Sequence, residues 1–174
     1  VIQRNQPIRI FGRGDVGDTV QVTLSDLRGQ ATVDDDGKWY LELPALKAGG
    51  PYILTIRADK TMEFHDVMIG EVWFCAGQSN MAMHLESDKD ADVHLSAADR
   101  FPRIRLLKRS FYPGASKREF SLDHLKKITM DDYYSGNWQI CSSENAKKFS
   151  AVGYSVFPAA HPLLLILSLC LNRF

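Results

Sequence analysis

Ile69-Gly70-Glu71-Val72-Trp73-Phe74-Cys75-Ala76 runs directly into Gly77-Gln78-Ser79-Asn80-Met81. The first stretch is nearly continuous apolar sequence, the pattern of a strand buried on both faces, as in a parallel sheet. Gly77 permits a tight turn, and residues 81–85 then open a predicted helix. Strand, tight turn and helix in that order mark an α/β layer. Ser79 falls just after the buried strand, at the helix N-terminus. Backbone N–H groups point outward there and can stabilise a developing oxyanion. The serine is therefore placed for nucleophilic attack. Residues 77–81 depart from the common nucleophile elbow, which needs Gly where Met81 stands. A serine at this point also reads as a plain helix N-cap.

Upstream, the pattern changes to period two. Thr19-Val20-Gln21-Val22-Thr23-Leu24, Lys38-Trp39-Tyr40-Leu41-Glu42-Leu43 and Tyr52-Ile53-Leu54-Thr55-Ile56 each alternate as half-buried strands do. Glycines punctuate them, and short strands at this spacing predict a small antiparallel sandwich. Asp34-Asp35-Asp36-Gly37 lacks the alternating acids and distant Glu of a calcium loop. Asp-Gly between two strand patterns is instead a hairpin signal. Residues 62–68 read as the last sandwich strand, which places the domain change near Asp66.

Downstream, residues 87–99 are charged and read as loop or helix. Residues 103–107 alternate and predict a second strand, and residues 112–136 a long polar loop. Residues 138–141 read as short and extended. Ser142 or Ser143 caps a predicted helix starting near Glu144, with Ala146, Phe149, Val152 and Gly153 on one face. Pro158 and Pro162 break it. The apolar tail beyond has no following strand or helix to pack against.

Composition narrows the function classes. The chain has 174 residues, 21 basic and 21 acidic, and no formal net charge. Hydrophobic residues make up 45% and charged residues 24%, a globular balance. Zero net charge gives no footprint for nucleic acid or an anionic membrane. Residues 163–171 fall well short of the roughly 20 needed to span a bilayer. No signal peptide is present, and the start at Val1 reads as a trimmed or mature end. Cys75, Cys141 and Cys170 form no C-x-x-C pair, so neither a zinc framework nor a disulfide scaffold is indicated.

The longer string from Asp66 to Met81 closely resembles the sialate O-acetylesterase family of SGNH-type hydrolases, with its D-V-x-x-G-E-V-W-x-C-x-G-Q-S-N-M segment. The resemblance continues upstream in Gln3-Arg4, Gly17-Asp18-Thr19-Val20, Asp36-Gly37-Lys38-Trp39 and residues 43–52. Downstream it reaches Trp138, Ser143-Glu144-Asn145-Ala146 and Phe149-Ser150-Ala151-Val152-Gly153-Tyr154. It implies an all-β sandwich over residues 1–66, then over 67–174 an incomplete α/β SGNH-hydrolase domain of flavodoxin-like type. It implies Ser79 as nucleophile for removing O-acetyl groups from sialic acid or other acetylated glycans. The Ser79 amide would be one oxyanion donor, and Gly77, Gln78 and Asn80 would shape the turn. No metal and no cofactor are implied. Location by resemblance is secreted, periplasmic or lysosomal.

The family takes its base from a D-x-x-H element far beyond the serine, and no Asp here is followed by His at the third position. His65, His84, His94, His124 and His161 each read as surface or structural residues. The resemblance stops after Tyr154, so the expectation is a truncated, frameshifted or alternatively spliced end and little activity for this chain alone. Two other classes compete. One is a carbohydrate-binding or interaction module with Trp39, Tyr40 and Tyr52 as stacking groups. The other is a non-functional truncated product with exposed sheet edges and poor solubility.

Overall fold

The computed structural model describes residues 1–77, 79–108, 110–111, 122, 134–156 and 164–168; for 110–111, 134–135 and 164–168 it describes the backbone alone. The chain divides into two units, Val1–Glu71 and Val72–Phe174. Strands dominate, the sheet pairing is mixed, and the helices are few and short.

The first unit holds β1 (Ile2–Gln3), β2 (Ile8–Arg13), β3 (Thr19–Leu24), β4 (Leu27–Thr32), β5 (Lys38–Leu43), β6 (Gly49–Arg57) and most of β7 (Thr61–Cys75). The order β4-β3-β6-β7 is antiparallel throughout, and β1 adds to β7 in parallel. β2 and β5 form a separate antiparallel pair. Alternation decides which side chains enter the core, since successive strand residues point to opposite faces. Val20, Val22 and Leu24 of β3, Ile8 and Ile10 of β2, and Trp39, Leu41 and Leu43 of β5 meet in one buried cluster with Ile56, Val67 and Ile69. Each such side chain contributes roughly 1.5–3 kcal/mol when removed from water.

Three expectations change in this unit. Asp34–Gly37 does form a turn: the Asp34 carboxylate accepts from the Asp36 and Lys38 amides, and Gly37 has φ +72°. The strands it joins, β4 and β5, lie in different sheets and do not pair, so it is not a hairpin. Residues 62–75, expected in two strands, belong to one continuous β7. A bulge falls at Asp66. Leu54 faces Phe64 and Tyr52 faces Val67, so β7 spends one more residue than β6 between those pairs, and Asp66 takes φ +58°. Finally, β7 is buried from Val67 to Gly70, but Trp73 is 46% and Phe74 61% exposed. The apolar run therefore exceeds the part of the strand that described residues cover on both faces.

The second unit continues with α1 (Ser79–Ala82), a 3-10 turn (Leu85–Ser87), α2 (Ala91–Ala98), β8 (Arg105–Lys108), β9 (Ser110–Phe111), β10 (Tyr134–Ser135), β11 (Gln139–Ile140), α3 (Ser143–Ala146), α4 (Ala151–Ser155) and β12 (Leu164–Ser168). β11 runs antiparallel to β8 and β12 parallel to it, while β9 and β10 pair separately. The apolar tail thus finds a strand partner, Ile166 opposite Leu106, because a strand needs only a free sheet edge. Most of the expected loop at 112–136, and Pro158 and Pro162, lie outside the described residues. Leu85, Ala98, Ile104, Leu106, Cys141, Ala146, Phe149, Ala151 and Tyr154 form the core.

The helix expected from Glu144 onward divides in two. Ser142 caps α3, its hydroxyl accepting from the Asn145 amide at 3.1 Å. α3 stops at Ala146, and α4 starts afresh behind Ser150. The break resets the angular register: Phe149 and Gly153 stay buried, but Val152 is 42% exposed. Arg105, expected on the outward side of its strand, is 5% exposed; its Nη1 donates to the carbonyls of Pro102 at 2.7 Å and Ile104 at 3.2 Å.

One ion pair ties the amino end of the first unit to β7. Glu71 accepts from Gln3 Nε2 at 2.9 Å and from Arg4 Nε. The hydrogen bonds from Gln3 and Arg4 hold its carboxyl below the ordinary value of 4.5. A depressed carboxyl contributes stability above its unfolded pKa and loses it as pH falls through the folded value. Glu71→Gln is expected to lower stability at pH 7 by about 1 kcal/mol or less, given the partial exposure of the pair. Thermal melts of the two proteins should converge as acidification protonates the Glu71 carboxylate. Parallel curves from pH 7 to pH 3 would show that the carboxylate contributes nothing.

Candidate active site

β7 ends at Cys75, and the chain reaches Ser79 through Ala76 and Gly77. Gln78, expected to shape the turn, lies outside the described residues. Space at Gly77 is tight: a Cβ there would stand 3.0 Å from the Met81 Cβ, so Met81 would have to shift by a few tenths of an ångström. Ser79 is exposed and occupies the first position of α1, with Asn80 exposed beside it. The amides at the head of a helix have no partner within it. The structure therefore brings Gly77, Ser79 and Asn80 together at one accessible turn.

What fixes that turn comes from a distant segment. Ser150 Oγ lies 3.0 Å from the Met81 sulfur and also accepts from the Gly153 amide at 3.1 Å, capping α4. Beyond Met81 a short ladder follows. The Ala151 amide donates to the Met83 carbonyl at 2.9 Å, Leu85 to Phe149 at 2.9 Å, and Glu86 to Lys147 at 3.0 Å. The segment after the serine helix is thus hydrogen-bonded along residues 147–151. Both segments carry the family resemblance, yet nothing in their sequences says that they touch. Ser150, buried beneath α1, is the site residue that sequence reading missed as an anchor. Its signal was its place in the Phe-Ser-Ala-Val-Gly-Tyr string.

The histidines serve other contacts. His84 Nε2 lies 2.9 Å from Lys108 Nζ, and its Nδ1 3.5 Å from Glu86 Oε1. An ammonium can only donate, so Nε2 accepts and Nδ1 carries the ring proton towards the carboxylate. His94 packs edge-on against Tyr154 with ring centroids 6.0 Å apart, and its carbonyl accepts from the Tyr154 hydroxyl at 3.3 Å. His65 lies 3.5 Å from Glu63. His124 and His161 fall outside the described residues. Among the described residues, no imidazole hydrogen-bonds the Ser79 hydroxyl.

Among the described residues Cys75 and Cys141 form no disulfide, and Cys170 lies outside them. Burial pushes the Cys141 thiol up to about 11, and burial likewise raises the Tyr154 hydroxyl above its ordinary range. Of the expected stacking aromatics, Trp39 is 6% exposed and belongs to the core, Tyr52 is half-buried, and Tyr40 is exposed opposite Phe11. The carboxylates of Asp15, Asp18 and Asp59 lie within 4.8 Å of one another at the surface of the first unit. No described helix is long and apolar enough to cross a membrane.

The fold has a solved counterpart among enzymes that deacetylate sugars. A carbohydrate acetylesterase from Xanthomonas citri superposes with a TM-score of 0.78 at 27% identity, over 97% of this chain and 37% of that one. That defines the class that this fold resembles. Within it, the chain is related to the sialate O-acetylesterases. It is 32% identical to the mouse enzyme over 134 residues, 70% of this chain and 24% of that protein. It is 34% identical to the human enzyme over 116 residues, 58% of this chain and 21% of that protein. The chain spans about a quarter of the length of these relatives. No family model matches it.

Two measurements test this local structure. Ser150→Ala removes the α4 cap and leaves the buried Gly153 amide without its acceptor, so a loss of roughly 1–2 kcal/mol is expected in urea unfolding. A midpoint equal to that of the unaltered protein would show that the cap is idle. At pH 8 a thiol titrating near 11 carries about a hundredfold less thiolate than one at the ordinary value of 9.0. Iodoacetamide should therefore leave Cys141 intact while a small-molecule thiol is consumed. Rapid labelling of Cys141 in peptide maps of the folded chain would contradict this burial.

Proposed function

We propose that this chain is the nucleophile-bearing, N-terminal portion of an SGNH-type serine esterase that removes O-acetyl groups from sialic acid or another acetylated glycan. In this reading the first unit is a small β-sandwich whose layers are β2–β5 and β4-β3-β6-β7. The domain changes near Asp66, and the rest opens the α/β hydrolase domain. The observation that carries the proposal is Ser79, exposed at the first position of α1 in a turn anchored by Ser150. The relatives named above support the choice of acetylated sugars.

The chemistry follows from that position. Ser79 Oγ attacks the acetyl carbonyl carbon, and the carbonyl electron pair moves onto oxygen. The Ser79 and Asn80 amides at the head of α1 face that developing charge. The sugar oxygen leaves and takes a proton, which gives an acetyl-Ser79 ester. Water then attacks this ester and releases acetate. Both steps require a proton acceptor beside Oγ, and among the described residues no imidazole hydrogen-bonds the Ser79 hydroxyl: His65 and His84 face Glu63 and Lys108, and the His94 ring packs on Tyr154. The base therefore belongs to residues outside those described, and no metal is required. An enzyme acting on glycan acetyl groups fits a secreted, periplasmic or lysosomal setting.

Joining this chain to the remaining portion of the Xanthomonas citri enzyme tests the reading. The chimaera should release acetate from an O-acetylated sialoside, and Ser79→Ala should lower that rate at least ~10³-fold. The 174-residue chain alone and its Ser79→Ala form should hydrolyse p-nitrophenyl acetate equally slowly. A folded chimaera with the same rate with and without Ser79 would overturn the nucleophile assignment. A clear Ser79-dependent rate in the isolated chain would overturn the external base.

A further inference from the structure

The outer face of β3, β4 and β6 carries a cavity of about 660 Å³ whose lining holds no aromatic side chain and is rich in polar ones. Gln21, Thr23, Arg28, Gln30, Thr55 and Arg57 line it, together with Val22 and Gly29. The register explains this composition. Gln21 stands opposite both Gln30 and Arg57, and Thr23 opposite both Arg28 and Thr55. Two polar rows therefore cross three strands, while Val22, Leu24 and Ile56 alternate into the core behind them.

The charges in this face are the unusual part. Arg4 and Arg9 of the same unit are paired, with Glu71 and Glu42. Arg28 and Arg57 are exposed, and among the described residues neither enters an ion pair. The nearest acid along the rows is Glu63, opposite Thr55, and it lies against His65 instead. Strands ~4.8 Å apart and a two-residue step of ~6.8 Å put the Arg28 and Arg57 backbones ~12 Å apart, at opposite corners. Amide and hydroxyl side chains fill the space between. A guanidinium recognises a carboxylate through two parallel N–H donors, and the amides and hydroxyls offer both donors and acceptors to a polyol.

From this geometry we propose that the outer face of β3, β4 and β6 is a non-catalytic binding site for an acidic oligosaccharide, with one carboxylate on Arg28, another on Arg57, and sugar hydroxyls on Gln21, Gln30, Thr23 and Thr55. The lining has no aromatic platform, which neutral sugars and single-stranded nucleic acids would use. Charge must therefore carry the affinity, and two separated guanidiniums select a ligand with two separated anions. The proposal does not depend on Ser79 or on ester hydrolysis.

The test is calorimetric titration of the full chain with trimeric sialic acid, monomeric sialic acid, maltotriose and inorganic phosphate. The trimer should bind, and the other three should bind at least tenfold more weakly. Arg28→Gln and Arg57→Gln should each weaken trimer binding about tenfold, in keeping with the loss of one charge-assisted pair. Both side chains are exposed, so the melting temperature should not move. Amide shifts of the unaltered protein on adding trimer should cluster at Gln21, Thr23, Gln30 and Thr55, which gives a reading independent of the variants. Failure of the trimer to bind, equal binding of maltotriose, monomer or phosphate, or shifts confined elsewhere would overturn the proposal.

Discussion

The buried middle of β7 is the constraint on which the rest of the first unit depends. Val67–Gly70 is shut away from water, so its backbone donors and acceptors must be met within the protein. Ile69 shows how: it pairs with Gly49 of β6 on one edge and with Ile2 of β1 on the other. That requirement draws the amino end of the chain alongside a strand nearly seventy positions away. The Glu71 carboxylate then fixes the arrangement by accepting from Gln3 and Arg4. The bulge at Asp66 absorbs the change from an edge-like, exposed strand to a buried one. From there the same strand delivers the chain to Gly77 and the serine turn.

The serine turn is held in place by a segment some seventy residues further along the chain. Ser150 supports Met81 from below and caps α4, and residues 147–151 hydrogen-bond the backbone that follows α1. In the proposed reading, this is the part that sets where the nucleophile stands. Activating the hydroxyl is a separate task, and the described histidines are committed to Glu63, Lys108, Glu86 and Tyr154.

Electrical neutrality over the whole chain conceals local order. The cations of the first unit fall into two groups, those on carboxylates and those left free. Arg28 and Arg57 belong to the second group only because β-sheet register sets them beside Gln21, Thr23 and Thr55 rather than beside an acid. A count of charges cannot show this, because it carries no information on neighbours.

The sequence by itself determined the strands with clear alternation, β3 and β5, because period two is a local property and one buried face enforces it. It also determined Ser79 at the start of a helix after a strand, and a serine cap at Ser142 or Ser143, of which the structure uses Ser142. Only the tertiary structure decided that β4 and β5 part into different sheets, that Leu164–Ser168 pairs with β8, and that Trp39 is core while Tyr40 is exposed. It alone broke the predicted helix at Ala146, so that Ser150 could reach Met81. The reason is common to all of these. Local patterns fix which face of a segment avoids water, but the partner that covers that face lies far along the chain, and its identity is set by packing.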